Sequence, residues 1–261
     1  MIKSVVMKRE RGRHMESLLH IDSLVGGYTN KNVLHGVSFD VKRGEIVGLI
    51  GLNGAGKSTT IKHIIGLMQA KKGSVSINGK TFQENPEGYR SELGYIPEMP
   101  VLYDELTLHE HLRLTAMAYG LSEDVFQQRL KPLLKEFRLE KKLNFFPVHF
   151  SKGMRQKVMI MCAFLVEPSL YIVDEPFVGL DPLGIQSYLQ LMNEMKENGA
   201  GILMSTHILA TAERYCDRLV ILHDGEVRAK GTLEELRLEF NMPDATLDDI
   251  YVQLTKEDDH D

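Results

Sequence analysis

The sequence predicts an α/β protein built around a mostly parallel β-sheet. Short β-rich runs alternate with stretches of helical periodicity along most of the chain, the pattern of strands joined by crossover helices. One run leads into a glycine-rich loop and another ends in paired acids, the place where open sheets of this kind put their ligands. The 261 residues are 43% hydrophobic and 26% charged. That composition suits one large domain, or a domain with a sizeable insertion, and excludes a disordered or fibrous chain.

In chain order, strands are expected at Leu18–Ile21, Val37–Val41, Ile46–Ile50, Ser74–Ile77, Gly94–Ile96, Leu170–Val173, Ile202–Met204 and Leu219–Leu222. Each is a short run rich in apolar and β-branched residues. Helices are expected to begin near Lys57, Leu108, Glu123, Lys152, Gly184, Ile208 and Leu233, with a last one over Leu247–Leu254. Between Pro97 and Phe150 no strand pattern occurs, and the amphipathic spacing reads as a helical insertion between two parts of the sheet domain. The organisation expected is a flexible basic extension over 1–14, a sheet core over 15–97 and 158–238, a helical subdomain over 98–157, and a C-terminal helix with an acidic tail over 239–261.

Charge is unevenly spread. Residues 1–14 carry five basic residues and one acid, and residues 239–261 carry eight acids and one lysine, so the body between them holds only −2 of the −5 total. A near-neutral body gives no sign of a duplex-binding basic face, so no nucleic-acid partner is expected. Two cysteines, Cys162 and Cys216, cannot form a disulfide framework and point to a reducing compartment. The longest apolar run, Val158–Val166, has nine residues, about half of the roughly 20 that a membrane-spanning helix needs. No secretory signal is legible behind the basic start.

Gly51-Leu52-Asn53-Gly54-Ala55-Gly56-Lys57-Ser58 matches G-x-x-x-x-G-K-[ST] and follows the apolar run Ile46–Ile50, the strand–loop–helix context that a phosphate-binding loop requires. Its backbone N–H groups, continuing through Thr59, can close around phosphate oxygens at a helix N-terminus. Lys57 would neutralise the β- and γ-phosphates of ATP, and the Ser58 hydroxyl would ligate Mg²⁺. The strand Leu170–Val173 ends in Asp174 and Glu175. Asp174 would hold Mg²⁺ or its water, and Glu175 would act as general base on the attacking water.

Four further segments make the chain resemble the ATP-binding cassette (ABC) ATPases. Phe150-Ser151-Lys152-Gly153-Met154 stands at the family's Leu-Ser-Gly-Gly-Gln signature, followed by Arg155-Gln156-Lys157. Gly179-Leu180-Asp181 matches the D-loop, Ser205-Thr206-His207 the switch histidine, and Tyr28 the aromatic that stacks on adenine. The resemblance runs from about Leu18 to Glu235. It implies a P-loop NTPase (RecA-like) core with an N-terminal antiparallel β part and an inserted α-helical subdomain. It also implies a head-to-tail dimer in which Ser151 and the Gly153 N–H meet the γ-phosphate in a second subunit's site, in which His207 orients water, and in which Asp181 links the two sites. An integral membrane transporter subunit is the implied partner, and the inner face of the cell membrane the implied place of this peripheral, cytoplasmic protein. The signature, the end of the Gly94–Ile96 strand and the closing Leu247-Asp248-Asp249-Ile250-Tyr251 are most similar to Ecs-type exporter ATPases of Gram-positive bacteria.

Two departures from the family pattern stand out. Glu98 replaces the glutamine after Gly94-Tyr95-Ile96-Pro97; it keeps an oxygen for Mg²⁺ but adds charge and loses an amide donor, or else it serves only as surface toward the membrane partner. Lys152 replaces the first signature glycine; it either adds positive charge toward phosphate or swings its stem to solvent. Met99-Pro100-Val101-Leu102-Tyr103 is a locally apolar stretch fit to seat a helix of the membrane subunit. The function expected is ATP hydrolysis driving transport, most simply export. The alternatives are a soluble ABC protein of translation or DNA maintenance, or a regulatory module without turnover; a single cassette without sustained heptads, with Lys57, Asp174, Glu175 and His207 all present, speaks against both.

Overall fold

The structure is a computed structural model that describes residues 17–28 and 31–258. The expected basic extension 1–14 and the end of the acidic tail, 259–261, lie outside the described residues. Two sheets form the frame. The smaller contains β1 (Ser17–Gly26), β2 (Leu34–Lys42), β4 (Lys72–Ile77) and β5 (Lys80–Thr81) in the order β2-β1-β4-β5, with every neighbouring pair antiparallel. The larger contains β3 (Ile46–Ile50), β6 (Leu93–Ile96), β7 (Leu170–Asp174), β8 (Gly201–Thr206), β9 (Arg218–His223) and β10 (Glu226–Gly231) in the order β10-β9-β3-β8-β7-β6. It is parallel from β9 to β6, and only the edge strand β10 runs antiparallel.

Period-two geometry explains why the parallel strands read as unbroken apolar runs: successive side chains enter different cores, so both faces of the sheet must be apolar. Val47 and Leu49 of β3 pack toward the antiparallel sheet with Leu19, Phe39 and Ile172. Ile46, with Tyr171 and Val173 of β7, faces a core of inserted helices. Ile50 joins Leu219 and Ile221 under the C-terminal helices. Val47, Leu49 and Ile50 are fully buried, and each such side chain contributes on the order of 2 kcal/mol from the apolar surface it removes from water.

The helices are α1 (Lys57–Ile64), α2 (Pro86–Arg90), α3 (Leu108–Ala118), α4 (Glu123–Phe137), α5 (Lys152–Val166), α6 (Pro182–Glu197), α7 (Leu209–Tyr215), α8 (Leu233–Glu239) and α9 (Leu247–Asp258). Between Pro97 and Phe150 only helices and irregular segments occur, as the spacing predicts. Helix α3 opens with a capping box: the Thr107 hydroxyl accepts from Glu110 N–H while the Glu110 carboxylate accepts from Thr107 N–H. Ser122 caps α4 and Ser151 caps α5 by one bond each, the serine hydroxyl accepting from Val125 N–H and Met154 N–H. Leu108, Leu112, Phe126, Leu130, Leu134 and Phe137 are the buried stripes of α3 and α4, packed against Val158, Met161 and Leu165 of α5. No helix among the described residues is long and apolar enough to cross a membrane.

Candidate functional site

The parallel strands β3, β7 and β8 point their C-terminal ends at one place. Registry pairs Ile50 with Thr206 and Asp174 with Ser205, so the loop after β3, the acids after β7 and the histidine after β8 emerge side by side. The glycine-rich loop runs from Gly51 into α1, whose N-cap is Gly56 at φ 109°. Lys57 turns back into this loop, 8% exposed, and its ammonium donates to the carbonyls of Gly51 at 2.6 Å and Leu52 at 3.2 Å. Burial lowers its pKa, against the raising influence of Glu175, Asp174 and Glu98.

The opposite side is acidic. Glu175 is 6% exposed and all its contacts are donors: Thr206 Oγ1 at 3.1 Å, His207 N at 3.0 Å and His207 Nδ1 at 2.6 Å. Its backbone sits at φ 49°, in the left-handed region, with its own N–H donating to the Ser205 carbonyl at 2.9 Å. For a non-glycine residue that conformation costs roughly 1–3 kcal/mol, and here it turns the carboxylate off the end of β7 toward β8. Asp174 has its pKa raised by burial, with the Glu175 and Glu98 carboxylates pushing the same way and Lys57 opposing. Three carboxylates and one lysine therefore act on one another's charge here, a balance that a bound cation would shift further toward the ionised acids.

A cavity of ≈ 280 Å³ opens along the loop, lined by Tyr28, Val33, Asn53, Gly54, Gly56, Lys57, Ser58 and Thr59. Tyr28 is half exposed at its rim, and its hydroxyl accepts a hydrogen bond from Lys62 Nζ at 2.7 Å. That bond, more than the lysine's charge, lowers the phenol pKa. The loop is braced from outside: Gly225 N–H donates to the Ala55 carbonyl at 3.0 Å, and the Gly225 carbonyl accepts from His35 N–H at 2.9 Å. Gly225 adopts φ 78°, and a Cβ there would lie 1.8 Å from the Val33 carbonyl oxygen, so only glycine fits.

Ser151, Gly153 and Asp181 lie together on a separate surface. The Ser151 hydroxyl accepts from Met154 N–H at 3.3 Å at the start of α5. Gly153 packs so tightly that a Cβ would lie 2.5 Å from the Gly179 carbonyl oxygen. Asp181 caps α6 through Gly184 N–H at 2.6 Å and pairs with Lys157 Nζ at 3.1 Å, and these partners hold its carboxyl below its usual range. The exposed Lys152 lays its stem near Gly179, 3.5 Å from where a Cβ would stand.

Three contributors escape sequence reasoning. Thr206 shares Glu175 with His207. Gln156 is fully buried, and its Nε2 donates at 3.1 Å to the carbonyl of Pro97, the residue before Glu98. Lys62 holds Tyr28. The first two stand inside quoted motif segments, which is the signal that could have found them; Lys62 carries none beyond its place on α1.

Among the described residues no group of three or more His, Cys, Asp or Glu is arranged to hold a metal alone. Ser58, Asp174 and Glu98 offer oxygen donors only, the chemistry that a hard cation would take.

Comparison with known proteins agrees with this geometry. A family model described as ABC transporter matches residues 34–178. The ABC-type transporter ATP-binding protein EcsA of Bacillus subtilis (strain 168) is 69% identical over 242 residues, covering 93% of this chain and 98% of the relative. A solved structure of an ATP binding subunit of an ABC transporter superposes with a TM-score of 0.90 at 66% identity, covering 92% of this chain and 100% of that one. CbiO1 from Clostridium perfringens, part of the ABC transporter complex cbiONQ, follows with a TM-score of 0.73 at 26% identity, covering 86% of this chain and 92% of that one. With its phosphate loop, paired acids and histidine meeting at one sheet edge, and with EcsA matched along nearly its full length, the chain belongs to the ABC transporter family, as an ATP-binding subunit whose ATPase activity serves transport.

Proposed function

We propose that this subunit hydrolyses ATP in a site shared by two copies packed head to tail, and that closing and reopening of the pair drives export through separate membrane subunits. The observation that carries the catalytic part is the carboxylate of Glu175, buried, braced by Thr206 and His207, and set on the same sheet edge as Lys57.

In this reading Tyr28 takes the adenine on its ring face. The backbone of Gly51, Asn53, Gly54, Ala55, Gly56 and Thr59 cradles the phosphates, and Lys57 exchanges the Gly51 and Leu52 carbonyls for phosphate oxygens. Ser58, Asp174 and Glu98 would hold Mg²⁺, which when bound neutralises charge on the β- and γ-phosphates. Glu175 accepts the proton of the attacking water as its oxygen bonds to the γ-phosphorus and the bond to ADP breaks. His207 spends Nδ1 on Glu175, so Nε2 is the nitrogen left to face a phosphate oxygen, and donation from it needs the imidazolium form. Ser151 and the Gly153 N–H complete the partner's site from a helix N-terminus, and Asp181 links the two.

The membrane partner is proposed to seat on Met99, Val101 and Tyr103, which stand 55%, 76% and 63% exposed beside the Glu98 loop. Leu102 leaves that set, because it packs against the helical core. The position of the protein on the inner membrane face follows from this docking. Outward transport is supported by the Ecs-type character of the motifs, and assembly into a larger complex is what CbiO1 is described as doing. The test is twofold. The Glu175→Gln chain should dimerise on adding Mg·ATP, measured by light scattering, and tagged wild-type chain should co-purify from membranes with a multi-span protein; a monomer with ATP, or recovery with nucleic acid instead, overturns the reading.

A further inference from the structure

Tyr28 and the strand end that precedes it both meet one helix. Its loop begins at Gly26, whose Cα lies against the ring of His63: a Cβ at Gly26 would fall 2.1 Å from His63 Nε2. His63 is 4% exposed and anchored to its own helix through Nδ1 and the Thr59 carbonyl at 2.8 Å. One residue earlier on α1, Lys62 Nζ donates to the Tyr28 hydroxyl at 2.7 Å and stands 5.1 Å from the ring centroid. The same helix begins at Lys57, and Thr59 lines the ≈ 280 Å³ cavity together with Tyr28. Lys57 and Lys62 are five residues apart, which at about 1.5 Å per residue is about 7–8 Å along the helix axis.

We propose that Lys62 is a positioning residue for the nucleotide base: it fixes the Tyr28 ring relative to α1, so one rigid helix sets both the phosphate end and the base end of the bound nucleotide. This rests on the reading that a base stacks on Tyr28. A phenol free to turn about χ1 and χ2 loses that freedom each time a base stacks on it. A phenol already tied by an ammonium has lost much of it beforehand. Lys62 therefore acts on ligands that carry a base and not on bare polyphosphate, and Arg, which keeps a cationic donor, substitutes for it in part.

The experiment measures binding by calorimetry on the full chain in EDTA, where turnover is blocked, with ATP and inorganic tripolyphosphate as the two probes and Lys62→Met, Lys62→Arg and Tyr28→Ala as variants. Lys62→Met should weaken ATP about threefold to tenfold, the scale of a partly exposed charge-assisted hydrogen bond. Tripolyphosphate should stay within about twofold, and Lys62→Arg should recover most of the loss. A spectroscopic signature accompanies it: the phenol whose ionisation is lost in Tyr28→Phe should titrate at higher pH in Lys62→Met. Equal weakening of both probes overturns the proposal, as does an unchanged ATP affinity in Lys62→Met while Tyr28→Ala weakens it. If Tyr28→Ala itself leaves ATP binding unchanged, the stacking reading fails first, and the inference with it.

Discussion

Replacing Glu175 by Gln separates the shape of the carboxylate from its charge. The native side chain accepts from His207 N at 3.0 Å, His207 Nδ1 at 2.6 Å and Thr206 Oγ1 at 3.1 Å. Glutamine has the same length and volume. Its carbonyl oxygen can keep both His207 contacts, and its amide can donate to the Thr206 hydroxyl, which accepts as readily as it donates. The fold should therefore lose less than about 1 kcal/mol, the worth of exchanging one ordinary hydrogen bond for another. What disappears is the base. General-base catalysis contributes roughly 10²- to 10⁴-fold, which at about 1.4 kcal/mol per factor of ten raises the barrier by about 3–5 kcal/mol. Phosphate release at saturating Mg·ATP should fall by that factor, while ATP affinity stays within about threefold because Lys57 and the loop are untouched. A turnover within tenfold of the wild type would refute Glu175 as the base. A parallel loss of ATP binding would show that the carboxylate organises the whole site.

Asp174→Asn should make the ligand-free protein more heat-stable at neutral pH while lowering Mg²⁺-dependent turnover, because the native carboxyl is half-buried, feels the charges of Glu175 and Glu98, and has its pKa raised. A raised carboxyl pKa costs stability only where the group is ionised, so the advantage of asparagine should shrink as pH falls into the carboxylate range; paired thermal melts across pH read this directly. Gly225→Ala adds a Cβ 1.8 Å from the Val33 carbonyl oxygen at φ 78°. Left-handed strain and the displaced strand together cost at least about 3 kcal/mol, or about 6–12 °C in melting temperature for a domain of this size, and ATP affinity should drop as the brace on Ala55 loosens. Val101→Ser with Tyr103→Ser should leave the melting temperature within a few degrees and abolish recovery of the membrane partner in a pull-down, since both side chains are mostly exposed.

What the sequence made legible follows the range of the interactions involved. The phosphate loop, the acids after β7 and the residues around His207 are contiguous strings whose strand context is also local, so their meeting at one sheet edge is foreseeable. Thr206 as a second brace on Glu175, Gln156 on the Pro97 carbonyl and Gly225 on Ala55 join segments 31, 59 and 170 residues apart; no local pattern announces them. Strand β10 goes unexpected because Glu226–Gly231 is short and charged, as an edge strand can be when one face meets water. Helix α2 is missed for its five-residue length, although Asn85 followed by Pro86 is a legible start signal. Leu247–Leu254 continues to Asp258 because the acidic turn that reads as solvated tail is still helical.

The close packing of Gly153 on Gly179, with the Lys157–Asp181 pair beside it, ties the start of α5 to the chain that leaves β7. The same strand delivers Asp174 and Glu175 a few residues earlier. In the proposed head-to-tail pair, the half that each copy lends and the half that it keeps are thus two ends of one short girder. A shift of β7 in response to one nucleotide would be delivered to the neighbouring nucleotide without passing through the helical insertion. The two reaction centres would then keep step by rigid geometry, and a cut at Lys157 would let them fall out of step before it slowed either one.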